Sequence, residues 1–180
     1  YVHDVDKDQT GWNTLCEQLK VSQVTSFTAS DIGMGQVALR TLATSLPAEV
    51  ADLNISEAII GDAGATLVEA ISSSSTLNFI TIGKGLRLPL KDNYDSDVLD
   101  ASNKGIEPGG VVVIAWWLTT PAAAAIARLS LAGDHLIRGR PVESQEEYDQ
   151  YGQYMPDHAG FTPFCESLKG TKIKRLISHL

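Results

Sequence analysis

Positive charge is scarce in this chain. Fourteen Lys and Arg against 22 Asp and Glu leave 180 residues with a formal net charge of −8. A nucleic-acid footprint needs a clustered basic face, so this balance speaks against that partner class. The carboxylates are scattered rather than gathered in a run, which reads as a solvated surface and not an acidic binding tract. Cysteine is limited to Cys16 and Cys165, too few for a disulfide framework. Long apolar runs are missing too. Val111–Ala132 comes nearest to a membrane span, but Thr119, Thr120 and Pro121 break it and Arg128 lies within it. It divides into a helix over 111–118 and a strand over 126–131.

Catalytic signatures are equally sparse. No Gly-x-Ser-x-Gly elbow occurs. The phrases Gly33-Met34-Gly35, Gly61-Asp62-Ala63-Gly64, Gly83-Lys84-Gly85 and Gly109-Gly110 all lack the Lys-Ser/Thr ending of a phosphate-binding loop, and most recur where a repeated turn would fall. His3, His135, His158 and His179 stand at no metal-ligand spacing. Asp95 and Asp97 pair only within a loop. The expectation is therefore a chain that is not an enzyme, with no catalytic centre, cofactor or metal.

What the chain does contain is repetition. Gly11-Trp12-Asn13-Thr14-Leu15-Cys16-Glu17-Gln18-Leu19-Lys20 returns as Gly160-Phe161-Thr162-Pro163-Phe164-Cys165-Glu166-Ser167-Leu168-Lys169, and the register carries on from Val24 to Ile173 and from Phe27 to Leu176. A shorter period runs between the copies. Val50, Leu53, Ile55, Ala58 and Ile60 precede Gly61, Gly64, Leu67, Val68 and Ile71, and Leu99, Ala101, Lys104, Ile106, Gly110, Val113, Ile114 and Trp117 follow the same spacing. Alternation on period two makes a strand, and apolar residues at helical spacing then bring the chain back. The spacing predicts strands over 24–29, 50–55, 77–82, 97–101, 126–131 and 173–177, and helices over 13–19, 36–46, 63–72, 109–118 and 161–168. Leu53, Ile55, Leu67, Leu129 and Leu131 are the expected core. Cys16 and Cys165, at matching repeat positions, are expected as buried free thiols rather than a disulfide.

Strand starts at 24, 50 and 77 lie 26 and 27 residues apart, within the roughly 20–29 residues of a leucine-rich repeat. With the phrase Ile60-Gly61-Asp62-Ala63-Gly64-Ala65-Thr66-Leu67, the chain resembles the leucine-rich repeat family, in its ribonuclease-inhibitor-like subclass and most like an irregular, protist-like array. Departures exist: Ala58, Lys104 and Asp134 replace the consensus Asn, and 77–96 is too short for a helix and contains Pro89. The resemblance implies an α/β fold, a curved leucine-rich-repeat solenoid with a parallel β-sheet on the concave face and helices on the convex face. Residues 1–11 would be an N-terminal extension and 12–180 the solenoid, with an insertion at 137–159 and a truncated or uncapped C-terminal end.

Two surfaces are candidates for contact. Strand residues between core positions face the inner side of the curve: Asp52, Asn54, Phe79, Asp100 and Arg128 among them. The alternative reading is a solvated face. The insertion carries Arg138 and Arg140, an acidic run, then Tyr148, Tyr151 and Tyr154, a composition that suits an interface or a loop folded onto its neighbour. The functional expectation is a non-catalytic protein-binding solenoid, an interaction or assembly subunit of a larger complex. The alternative is an inhibitor or regulator that caps a partner enzyme. Its partners would be proteins, not nucleic acid, with no membrane span, and its setting intracellular, an organelle included.

Overall fold

In the computed structural model, the structure describes residues 6–134, 138–141, 154–156 and 161–177. The order of elements is α1 (Thr10–Lys20), β1 (Ser26–Thr28), α2 (Gln36–Ala43), β2 (Asp52–Asn54), α3 (Gly64–Ser73), β3 (Phe79–Ile82), β4 (Leu86–Pro89), β5 (Val98–Asp100), α4 (Pro108–Leu118), β6 (Arg128–Ser130), β7 (Arg138–Pro141), β8 (Tyr154–Pro156), α5 (Phe161–Leu168) and β9 (Arg175–Ile177). Short 3-10 turns at Gly61–Ala63 and Pro121–Ala123 lie before α3 and after α4.

The strands are short, and β2, β3, β5 and β6 bury the central apolar residues Leu53, Ile80, Leu99 and Leu129. Phe27, Leu53 and Ile80 stand in parallel register across β1, β2 and β3, and Leu99, Leu129 and Leu176 across β5, β6 and β9. Leu53, Ile55, Leu67, Leu129 and Leu131 are all buried, as their spacing predicted. The turn leaving each strand also recurs: Asp31, Glu57 and Asn103, four residues after Phe27, Leu53 and Leu99, take positive φ angles of 54°, 64° and 55°.

The single parallel solenoid sheet does not form. The structure instead holds a four-stranded mixed sheet, β1-β2-β3-β4, and a separate three-stranded parallel sheet, β5-β6-β9. β3 and β4 pair antiparallel, Ile80 opposite Leu88 and Thr81 opposite Arg87. This corrects the expected curved leucine-rich-repeat array, and the reason is local. A parallel strand needs a crossover of a dozen or more residues, usually a helix. Residues 83–97 offer none, because Gly83 (φ 51°) and Gly85 (φ 80°) reverse the chain at once. Leu86 and Leu88 then alternate into the core, 4% and 0% exposed. Pro89 ends β4, which lies at the sheet edge, where a missing amide is tolerated.

The helices, by contrast, form an unbroken row in which α1 packs on α2, α2 on α3, α3 on α4 and α4 on α5. With no helix between β3 and β5, α3 and α4 become direct neighbours. Their N-terminal turns meet so closely that a Cβ at Gly109 would collide with the backbone of Gly61, and one at Gly64 would stand 2.9 Å from the Gly109 carbonyl oxygen. α4 is apolar nearly all round, as befits a helix flanked on both sides: Val111, Val113, Ile114, Ala115, Trp117 and Leu118 are buried.

Helix N-terminal amides lack partners within their own helix, and here a preceding or following unit supplies them. Asp6 accepts from Val37 and Ala38 at the start of α2 (2.8 and 3.0 Å). Gln36 Oε1 accepts from the Asp62 amide (3.1 Å), and Glu107 Oε1 from Ile60 and Gly61 (2.8 and 3.0 Å). Asp134 Oδ1 accepts from Ile106 ahead of α4 (3.1 Å). Asp6 lies in the stretch expected as an extension, yet it caps the second helix.

The long internal match needs a second correction. Cys16 is buried and Cys165 exposed, and both are free. α1 buries Cys16 and Leu19, whereas α5 buries Phe164 and Ser167. α1 packs chiefly against the helix after it and α5 against the helix before it, so the two bury different stripes despite similar sequence. Burial pushes the Cys16 thiol pKa up.

Two measurements check this packing. Gly109→Ala should destabilise the protein by about 1–3 kcal/mol, the usual cost of overpacking. Gly11→Ala, inside α1 with nothing within 4 Å of the added carbon, should leave stability unchanged or raise it by up to about 1 kcal/mol. Equal urea midpoints for the two variants would refute the close approach. Leu88→Ala should cost about 2–5 kcal/mol, and a loss far below that would mean that β4 is not part of the core.

Candidate protein-binding face

Alternation along the strands decides which side chains reach solvent. In the mixed sheet one outward row is Ser26, Asp52 and Phe79, closed by the buried Pro89 of β4, and the next is Thr28, Asn54, Thr81 and Arg87. In the parallel sheet the rows are Val98, Arg128 and Arg175, then Asp100, Ser130 and Ile177.

Asp52 and Phe79, expected as contact residues, do come together, and the group that joins them is Arg87. Its guanidinium lies 2.6 Å from Asp52 Oδ2 and 4.0 Å over the centre of the Phe79 ring. The arginine is half exposed, so the ion pair contributes at most about 1 kcal/mol and the cation–π contact about 0.5–1 kcal/mol. Its main effect is to hold a long cationic side chain flat against an aromatic surface.

Asn54 and Asp100 occupy equivalent places and do equivalent work. Asn54 Oδ1 accepts from the amide and hydroxyl of Ser56 (3.0 and 2.7 Å), and Asp100 Oδ1 from the Ser102 amide (3.0 Å). Both turn the chain as it leaves the strand. The Asp100 pKa is lowered, first by the Ser102 backbone amide, then by its hydroxyl, and least by the Lys104 charge. A lowered carboxylate pKa favours the folded state above the ordinary Asp value and loses that contribution as pH falls through it. Arg128 lies 3.4 Å from Asp97 Oδ1, both exposed, and beside Arg175 in the ladder.

An open groove of about 540 Å³ adjoins the Arg87 stack, lined by Phe79, Arg87, Pro89 and Tyr94 and rimmed by Asp92, Asn93, Asp95 and Ser96. Its wall is anchored to the core. Tyr94 meets buried Trp117 edge-on, centroids 5.6 Å apart at 76°. Trp117 Nε1 donates to the Pro89 carbonyl (2.6 Å), and the Tyr94 amide to the Ala122 carbonyl (2.9 Å). The Tyr94 phenol pKa is raised, first by burial and then by the charge of Asp100. Two smaller-walled clefts, of about 510 and 480 Å³, lie at the C-terminal ends of α2 and α3 and of α4 and α5. They are lined mostly by Ala, Ser, Thr and Pro, with Leu46 and Glu69 in one and Leu118, Glu166 and Lys172 in the other, and present no aromatic group.

Arg87, Pro89, Tyr94, Asp92 and Asp95 were not among the sequence candidates. A signal existed: Gly83-Lys84-Gly85 followed by alternating Leu86 and Leu88 reads as a hairpin, and that phase points Arg87 outward. Of the insertion candidates, Tyr148 and Tyr151 lie outside the described residues. Arg138, Arg140 and Tyr154 lie in β7 and β8, an antiparallel ribbon described in its backbone alone. The four histidines also lie outside the described residues. Among the described residues no three His, Cys, Asp or Glu side chains gather as a metal site, and no helix is long and apolar enough to cross a membrane.

The stack can be tested by stability. Arg87→Ala should cost about 0.5–1.5 kcal/mol by chemical denaturation, the sum of an exposed ion pair and an exposed cation–π contact. In an Asp52→Asn background the cost should shrink, since the ion-pair share is already gone. Full additivity of the two would exclude the pair.

No protein-family model matches this chain, and no curated protein matches it.

Proposed function

We propose that this chain is a non-catalytic protein-binding subunit that meets its partner through the solvent face of the two sheets. The observation that carries the reading is the Arg87–Phe79 stack beside Tyr94, set in an open groove on that face. Arginine and aromatic side chains are enriched where protein interfaces concentrate their binding energy. Here they are pre-positioned: Arg87 is held by Asp52, and Tyr94 by Trp117. A surface ordered before contact loses less conformational entropy on binding. Arg128 and Asp100 extend the face onto the second sheet, and the β7–β8 ribbon offers a further contact element. Kinship with the leucine-rich repeat family is likewise a proposal. It rests on the phrase from Ile60 to Leu67 and concerns the local strand–turn–helix unit alone.

The test is affinity capture from the native source with wild-type protein and with a Phe79→Ser, Arg128→Glu double variant. Arg128 is exposed and Phe79 half-buried beneath Arg87, so circular dichroism should be unchanged and the melting temperature lowered by only about 2–4 °C per kcal/mol lost. Recovery of the specific partner should fall by about tenfold or more, the effect of losing a single interface anchor. Equal recovery with both proteins would remove this face from the function.

A further inference from the structure

We propose that the groove beside β3 and β4, walled by the 92–96 segment, receives a basic segment of the partner protein, with an Arg or Lys side chain laid against Tyr94 between Asp92 and Asp95. This rests on the protein-binding reading above and names the chemistry of what that face takes.

The groove already contains one such arrangement, made by the chain itself. At Phe79 an aromatic ring and a carboxylate, Asp52, hold a cation, Arg87. At Tyr94 the same two components recur, a ring with Asp92 and Asp95 beside it, and the cation that lines the same groove, Arg87, is paired with Asp52 instead. Neither carboxylate has an ion-pair partner among the described residues. The nearby lysines are turned to other work. Lys91 Nζ donates to the Ser75 carbonyl, the Lys84 side chain packs beside Gly105, and Lys104 answers the charge of Asp100. Arg87 and Arg128 are committed to Asp52 and Asp97.

Charge complementarity selects the occupant. An acidic segment would meet Asp92 and Asp95 at the rim, and then a protein whose net charge is −8. A basic segment is attracted by both. A cation over the ring of Tyr94 gains the electrostatic attraction of the π face, and the Tyr94 ring is braced by its T-shaped contact with buried Trp117. Pro89 and Phe79 give the aliphatic stem of an Arg or Lys an apolar surface to lie on.

The experiment is a titration of isotope-labelled protein with two synthetic peptides, a Gly-Ser-Arg repeat and its Gly-Ser-Glu counterpart, followed by NMR. The arginine peptide should shift the resonances of Tyr94 and its loop, and its affinity should fall as salt rises. Asp92→Asn with Asp95→Asn should weaken it about fivefold, the size expected of exposed charge pairs. Tyr94→Leu keeps an apolar contact on Trp117 but removes the π face, and should weaken it by a similar factor, about fivefold. Shifts confined to other parts of the surface would overturn the proposal. So would equal binding of the glutamate peptide, or full affinity in the Asp92, Asp95 double variant. If the Phe79, Arg128 variant loses its partner while no peptide perturbs the groove, the basic-segment inference fails and the protein-binding face stands. If that variant keeps its partner, both fall.

Discussion

The contact between the first turns of α3 and α4 sets the plan of the molecule. Gly64 and Gly109 allow the two backbones to approach at a distance that any side chain would forbid. Glu107 closes the junction by placing one carboxylate oxygen on the amides of Ile60 and Gly61. Those amides would otherwise be left without acceptors as the turn is buried, at a cost of about 1–3 kcal/mol each. Because the helices meet directly, the helical row is continuous from α1 to α5. The strand layer cannot then also be continuous, since it has one more unit, β3, than the helix row has helices to serve it. β4 absorbs the mismatch by folding back along β3.

That mismatch also creates the groove. β5 does not continue the parallel ladder from β3. Instead the antiparallel return places Pro89 opposite Phe79 and Arg87 one step on. The 90–96 segment then has to cross to the second sheet, carrying Asp92, Tyr94 and Asp95 over the gap. Trp117, from the helix that made the close approach, reaches the Pro89 carbonyl and the Tyr94 ring. The irregularity in packing and the chemically distinctive surface therefore share one cause.

The outward face of the strands adds little to stability. Its ion pairs are exposed and contribute little, while the opposite side of the same strands carries the core, with Leu53, Ile80, Leu88 and Leu99 at 0% exposure. Asn54 and Asp100 show how the two tasks overlap. Their side chains turn the backbone into the following loop, so they order the rim beside the face as well as adding polarity to it.

Much of the local structure was legible in the residues themselves. Period-two alternation around Leu53, Leu99 and Leu129 located strands, and helical spacing from Gln36, Ala63 and Gly109 located helices, because both signals depend on neighbours a few positions away. Outward residues such as Asp52, Phe79 and Arg128 followed from the same phase. What the sequence could not settle was how the units join. Whether β3 takes β4 or β5 as its partner depends on whether a helix fits between them, and on whether α3 can reach α4. The latter rests on glycines 45 residues apart, 64 and 109. The similar helices α1 and α5 bury different residues for the same reason: each lies at one side of the row, and its neighbour chooses the stripe. Arg87 finds Asp52 across 35 positions only because β4 reverses. Composition and periodicity determined the elements and the faces of each strand. Pairing between distant segments, decided by steric fit at a few backbone contacts, determined the sheets, the groove and the side chains that line it.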